Sequence, residues 1–268
     1  MKKLILATLI LLGSSCGVLK EKPSIKHISE QKELKVMSYN IHIGNPPSKP
    51  KLIDLGSIIK TIKAENPDLL ALQEVDVNTS RSGNINQAEI IARELGMNFY
   101  FAKAIDHDGG DYGVCILSKY PMSETKIHRL TTLKETGGEL RVLATAKIQL
   151  KNGGFIRFGS THLDAQKESM NRVIQIKEIN QIALEENLPF IIAGDLNAEE
   201  ESYEIKQLDQ VFVRTCQNCD PTFPVVNPKK TIDFIAFKKE NSFKTIKHSV
   251  VQEHYASDHL PVIAIIKR

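Results

Sequence analysis

The chain has 268 residues, 41% hydrophobic and 25% charged, which is the composition of a folded globular protein and excludes a disordered or fibrous one. Its net charge of +3 includes Lys2 and Lys3; without them 33 basic residues face 32 acidic ones, a net +1. A balance so near zero supplies no whole-protein field for drawing in nucleic acid or an anionic membrane, although a local basic patch stays compatible with it.

The first sixteen residues read as an export signal. Lys2 and Lys3 form a positive start, Leu4 to Leu12 is apolar except for Thr8, and Gly13, Ser14, Ser15 and Cys16 follow. The apolar run is shorter than the ~18 residues of a membrane span and suits a signal-peptide core that is not part of the mature fold. Small residues running into Cys16 resemble a bacterial lipobox, with Gly13 standing where Leu is usual. The expectation is a leader over 1–16, lipidation at Cys16, a polar tether over 17–33 and a protein held at the bacterial cell envelope. Plain secretion and an uncleaved anchor are the alternatives.

One domain is expected over 34–268, because strand and helix signals alternate there with no repeat or linker. Leu34 to Ile41 reads as a strand. Leu52, Leu55, Ile59 and Ile62 repeat at helical spacing, and Asn66-Pro67 ends that helix. Asp68 to Leu72 is a short buried strand, and Gln87 to Leu95 a helix closed by Gly96. Strands follow near Phe99 and at Gly113 to Leu117, Leu140 to Leu150 and Phe155 to Thr161, with Asn152-Gly153 as a hairpin turn. A long helix is expected from Lys167 to Glu186, then strands at Phe190 to Ala193, Ile232 to Phe237, Ile246 to Val251 and Val262 to Ile266. Two sheets face to face, with helices outside, would bury all these stripes. Cys115 lies in an apolar run and reads as a small core residue. Cys216 and Cys219 form one C-x-x-C, too few ligands for zinc, and fit a loop disulfide or two free thiols.

Polar residues of metal-binding type end or follow six of the apolar runs: Asn40, Glu74, His162, Asp195 with Asn197, Asp233, and Asp258 with His259. Ligands of α/β sheets bind at strand ends. A phosphodiester resists hydrolysis because its charge repels nucleophiles, and a hard cation on oxygen donors withdraws that charge. Donors that are mostly oxygen suit Mg²⁺, or Mn²⁺, better than Zn²⁺.

The motifs S-Y-N-I (Ser38 to Ile41), L-Q-E-V-D (Leu72 to Asp76), T-H-L-D (Thr161 to Asp164), G-D-L-N-A (Gly194 to Ala198), T-I-D-F-I (Thr231 to Ile235) and S-D-H-L-P-V (Ser257 to Val262) occur in this order. Together they resemble the endonuclease/exonuclease/phosphatase superfamily over residues 34–268. The resemblance implies an α/β (α+β) fold: a four-layer α-β-β-α sandwich of two mixed, mostly antiparallel sheets with helices on both outer faces. It implies a monomeric Mg²⁺-dependent phosphoesterase. Glu74 would be the principal metal ligand, helped by Asn40 and Asp258. Asp195 would orient or deprotonate the attacking water, and Asn197 would hold the nucleophile or a phosphate oxygen. His259, aligned by Asp233, would act on the scissile phosphate, and His162 on a non-bridging oxygen.

Arg81, in the polar loop after Glu74, is a candidate for gripping substrate phosphate bidentately; a solvated loop arginine is the alternative. Asp111 and Tyr112 are placed at the border of the site, with Asp111 a candidate for orienting His162, and Phe223 as a pocket wall. Glu139 and Arg141 read as structural, and His42 and His254 as surface or satisfied histidines. The substrate stays open between nucleic acid, a lipid or sugar phosphodiester and a small phosphomonoester. The W-C-D-R run of inositol 5-phosphatases is replaced here by T-I-D-F, which disfavours that relative. A binding module that kept the fold and lost the chemistry would have replaced Glu74, Asp195 or His259, and all three are present.

Overall fold

The computed structural model describes Met1 and residues 33–240 and 243–268. The leader, Cys16 and the tether therefore lie outside the described residues, apart from Met1 and Glu33. The chain builds two six-stranded sheets, each with one parallel pair created by a helical crossover. In the first, β1 (Leu34–Asn40) and β2 (Leu69–Val77) run parallel, joined by α1 (Leu55–Glu65). In the second, β7 (Phe155–His162) and β8 (Phe190–Asp195) run parallel, joined by α3 (Met170–Glu185).

The remaining strands are β3 (Asn98–His107), β4 (Gly110–Ser118), β5 (Met122–Leu130), β6 (Arg141–Gln149), β9 (Phe212–Arg214), β10 (Asp233–Lys238), β11 (Lys244–Val250) and β12 (Val262–Lys267). The strand orders are β11-β12-β1-β2-β4-β3 and β5-β6-β7-β8-β10-β9, with every pair except the two above antiparallel. Two shorter helices, α2 (Gln87–Leu95) and α4 (Tyr203–Leu208), complete the outer layers.

The apolar runs explain the layering, because both faces of the central strands are covered. Val36, Ala71, Ile116, Phe158, Ile191 and Ile235 point between the sheets and form the inner core. Their neighbours Met37, Leu70 and Leu72 turn outward beneath Ile58, Ile62 and Ile91 of α1 and α2. On the far side Leu143, Phe190 and Ile192 pack beneath Ile176 and Ile179 of α3 and Ile205 of α4. The α-β-β-α sandwich expected from the sequence is therefore the fold.

Some boundaries differ for local physical reasons. β5 escaped the sequence reading because Ser123 to Lys126 are exposed and the strand pairs with β6 alone, so it carries no apolar alternation. β9, three residues long, and α4 are likewise too short to show a period. β2 continues past Leu72 to Val77 by bulging at Gln73 and Glu74, where its register against β4 shifts. Cys115 is a buried free thiol, while Cys216 and Cys219 form a disulfide.

The glycine of G-D-L-N-A is required by the parallel pair. A Cβ on Gly194 would lie 2.1 Å from the Thr161 carbonyl oxygen of β7, and backbone cannot withdraw as a flexible side chain would. Gly194→Ala is expected to destabilise the fold by roughly 2 kcal/mol or more, read as a fall in the urea midpoint; an unchanged midpoint would show that β7 and β8 can part to admit a methyl group.

Candidate active site

The parallel pairs end on the same side of the molecule and deliver their last residues to one cleft. Asn40 closes β1 and lies beside Gln73 of β2. Glu74 follows in the bulge with φ 57°, a left-handed conformation unusual for a non-glycine residue. Strain of this kind persists where surrounding structure enforces it and clusters at functional sites. Across the cleft, His162 ends β7 and Asp195 ends β8 as register partners, and Asp233 opens β10 opposite Asp195. Asp258 and His259 arrive from the turn that leads into β12.

Asn40 joins the two sheets. Its Nδ2 donates to Glu74 Oε1 at 3.0 Å and to Asp195 Oδ2 at 3.1 Å, one carboxylate from each sheet. Its Oδ1 accepts the His42 backbone N–H at 3.0 Å, which sets the amide orientation. The amide thus presents a donor to two anions. The expectation that Asn40 helps Glu74 hold a metal is compatible with this arrangement, because Oδ1 keeps a second lone pair beside the His42 N–H.

Asp195 is 1% exposed, and Oδ1 accepts the Asn197 backbone N–H at 2.9 Å. Burial, reinforced by the Asp233 carboxylate, pushes its pKa up to about 7 against the pull of His259 and its hydrogen-bond donors. His259 Nδ1 lies 2.9 Å from Asp233 Oδ2, which also accepts from Thr222 Oγ1 at 2.6 Å. Burial opposes charge on His259, but Asp233 and Asp195 outweigh it and push its pKa up to about 10. The second imidazole behaves oppositely. His162 is buried, Nε2 stands 3.4 Å from Asp195 Oδ2 and 3.0 Å from Asn197 Nδ2, and burial with the Arg141 charge holds it neutral. The site therefore offers one imidazolium and one neutral imidazole.

Two groups of oxygen donors are candidates for a cation. Asp195, Asp233 and His259 have ligand-type atoms within 4.8 Å of one another, and His259 Nδ1 is already engaged with Asp233 Oδ2 at 2.9 Å, so this trio also serves as a hydrogen-bonded relay. Glu74 and Asp258 form the other group. Burial first, and then the Asp258 charge against the Asn40 hydrogen bond, pushes the Glu74 carboxyl up from its usual range. Among the described residues neither carboxylate has a lysine or arginine within 4.0 Å; His42 Nδ1, 3.9 Å from Asp258 Oδ1, is the nearest basic group. Two mutually repelling carboxylates with no lysine or arginine ion pair fit a hard divalent ion that keeps most of its waters.

The outlying candidates separate. Tyr112 is buried beside the cleft, and Arg81 lies 5.3 Å over its ring. Arg81 also donates Nε and Nη2 to Asp76 at 2.8 Å each, so the fork expected to take a phosphate is already on a carboxylate. With Glu74, Tyr112 and Glu139 it lines a recess of about 130 Å³. Phe223 packs its ring 4.7 Å from the His259 ring and walls a cavity of about 470 Å³ that Asn197 and Lys230 also line.

Asp111 does not orient His162. It is paired with Lys103 at 2.6 Å, because strand alternation sends consecutive residues to opposite faces and Tyr112 takes the inner one. The residue against His162 Nδ1 is Arg141, with Nη1 at 3.3 Å. It was read as structural, and its place follows from the β6–β7 pairing that sets Leu143 opposite Thr161. Asp76, which holds Arg81, was also missed; its signal was its place in L-Q-E-V-D.

Comparison with known proteins agrees with this geometry. The family described as Endonuclease/Exonuclease/phosphatase family matches residues 37–259. A protein of Escherichia coli (strain K12) named uncharacterized protein YbhP is 23% identical over 253 residues, spanning 89% of this chain and 98% of that protein. An endonuclease/exonuclease/phosphatase structure from Beutenbergia cavernae DSM 12333 superposes with a TM-score of 0.73 at 21% identity, covering 88% of this chain and 72% of that one. A mannosyl-6-phosphatase of Bacteroides thetaiotaomicron VPI-5482 gives 0.68 at 18% identity, covering 88% and 100%. At these identities the two structures speak to the fold.

If Glu74 and Asp258 hold the ion, Mg²⁺ at a hundredfold excess over its Kd should stabilise the wild-type protein by about 2.7 kcal/mol, several degrees in Tm for a domain of this size. Glu74→Gln should melt no lower than wild type in chelator and show no Mg²⁺-dependent rise; equal rises in both proteins would place the cation elsewhere.

Proposed function

Because the chain belongs to the endonuclease/exonuclease/phosphatase family, a family of metal-dependent phosphoester hydrolases, we propose that it is a Mg²⁺-dependent phosphoesterase that splits a P–O ester bond by in-line attack of water. The observation that carries this reading is the convergence of Asn40, Glu74, His162, Asp195 and His259 from the ends of both sheets on one cleft, with their ionisation states divided. Glu74 and Asp258 would hold the cation, Asn40 keeping Glu74 in place, and a bound Mg²⁺ would neutralise phosphate charge.

The protein's own groups account for the proton movements. Asp195, with a pKa of about 7, is matched to accept a proton from water near neutral pH. Asn40 Nδ2 and the Asn197 N–H fix its two oxygens. His259, protonated and aligned by Asp233, is placed to give a proton to the leaving oxygen as the P–O bond breaks. His162, neutral, and Asn197 would bind non-bridging oxygens whose charge grows during attack.

For the substrate we favour a small, sugar or lipid-headgroup phosphoester over nucleic acid. Tracking a nucleic-acid backbone needs free cations and stacking faces. Here Arg81 is held by Asp76, Arg141 by Glu139 and Arg172 by Glu204, and Phe223 already packs against His259. The N-terminal segment supports an anchor: we propose that Cys16 is lipidated and tethers the enzyme at the cell envelope.

With Mg²⁺ and a bis-phosphodiester dye substrate, turnover is expected, to be abolished by EDTA and lowered at least about 10³-fold by Asp195→Asn. Turnover that survives either treatment would sink the mechanism. A parallel panel of plasmid DNA, RNA, sphingomyelin, phosphatidylinositol and sugar phosphates should show the nucleic acids as the poorest substrates, and fastest cleavage of DNA or RNA would reverse the substrate reading. Cys16→Ser should release the protein from membranes into the soluble fraction; continued membrane association would refute the anchor.

A further inference from the structure

Each ring nitrogen of His162 is approached by a hydrogen-bond donor. Nδ1 lies 3.3 Å from Arg141 Nη1, and Nε2 lies 3.0 Å from Asn197 Nδ2. A neutral imidazole carries one N–H and one acceptor, so it can satisfy only one of them. The two donors are not equivalent. A guanidinium has no acceptor in any orientation, and Arg141 is 5% exposed with Nη2 held 3.3 Å from Glu139 Oε2. Asn197 keeps a hydrogen bond without His162, because the same Nδ2 donates to the Leu163 carbonyl at 3.1 Å. The other polar atom near Nε2 is an acceptor, Asp195 Oδ2 at 3.4 Å. The contact that must be satisfied is therefore the one at Nδ1.

We propose that Arg141 is a positioning residue that occupies the His162 Nδ1 lone pair and commits the ring to its Nε2–H tautomer, so that His162 meets the substrate as a hydrogen-bond donor. What that donor is for rests on the phosphoesterase reading above. There the Nε2–H takes a non-bridging phosphate oxygen, and Asn197 Nδ2, left without an acceptor at His162, turns to the same phosphate. The donor surplus that His162 cannot absorb becomes a cradle for negative charge.

A second observation fits this role. Arg141 Nε is buried with no hydrogen-bond partner, an arrangement that costs stability. An arginine retained for packing alone would be better replaced by an apolar side chain of similar volume. Wrong-tautomer histidines are costly in catalysis generally, since the ring then offers a lone pair where an N–H is needed.

Long-range ¹H–¹⁵N correlation spectra of the full chain, labelled at the histidine nitrogens and recorded without metal or substrate, read the tautomer directly. Wild-type His162 is expected with Nε2 protonated and Nδ1 bare. Arg141→Met should give a mixed or Nδ1–H ring, and Arg141→Lys, which can only donate, should restore Nε2–H. With Mg²⁺ and the dye diester, Arg141→Met should lower kcat about 100-fold with KM little changed, and Arg141→Lys should recover most of it. A wild-type ring protonated at Nδ1, or Nε2–H persisting in Arg141→Met, overturns the proposal. Because the spectra require no turnover, failure of the enzyme reading and failure of this one are separable. Should Arg141→Met not fold, the wild-type and Arg141→Lys spectra decide.

Discussion

One carboxamide ties the molecule's two halves together at the point where chemistry is available. Asn40 Nδ2 reaches Glu74 in its own sheet and Asp195 in the other. Both contacts are donations to a buried or crowded carboxylate, and in a low-dielectric site a donor facing an anion is worth more than it would be in water. The angle and spacing of the two sheets at this end are thus coupled to the positions of these two acidic groups. The His42 N–H on the far side of the amide prevents it from turning over, so the bridge has a fixed polarity.

Around that bridge the same few ångströms of structure push neighbouring groups in different directions. Asp195 and His259 both move up, one because burial and Asp233 oppose its charge, the other because two carboxylates outweigh burial. His162 moves down, since burial and Arg141 both oppose a positive ring. Acid and base roles are separated in this way wherever paired titratable groups are given unlike surroundings. Glu74 adds backbone strain to the account: its left-handed φ at the β2 bulge is a cost carried by the residue whose carboxylate faces Asp258.

The cleft has two unequal sides. The recess beside Arg81 and Tyr112 is small, about 130 Å³, and its guanidinium is held by Asp76, while the side beyond Asn197 and Phe223 opens into a cavity of about 470 Å³. A substrate lying across the candidate residues would meet a small, mostly pre-paired wall on one hand and a roomier one on the other. In the proposed reading those walls would distinguish one phosphoester from another, since the residues between them are the ones proposed to meet the phosphate.

Apolar runs, helix stops at Asn66-Pro67 and Gly96, and the six ordered motifs were legible in the sequence because each is a local pattern, set by the period of a strand or helix or by turn chemistry. From them the layered sandwich, the strand-end location of the candidate site and the candidates Asn40, Glu74, His162, Asp195, Asn197, Asp233, Asp258 and His259 follow. What the sequence could not carry was decided by register and packing. β5 was invisible because an edge strand needs no apolar stripe. Asp111, just before an apolar strand run, was a candidate for orienting His162, yet alternation turns it outward to Lys103. Arg141 looked structural because its partner is 21 residues away and meets it only through the β6–β7 ladder. The amide orientation of Asn40, the charge on each histidine and the closure of the Arg81 fork depend on distances and burial created when the two sheets meet. Those quantities belong to no single segment, which is why only the tertiary structure decides them.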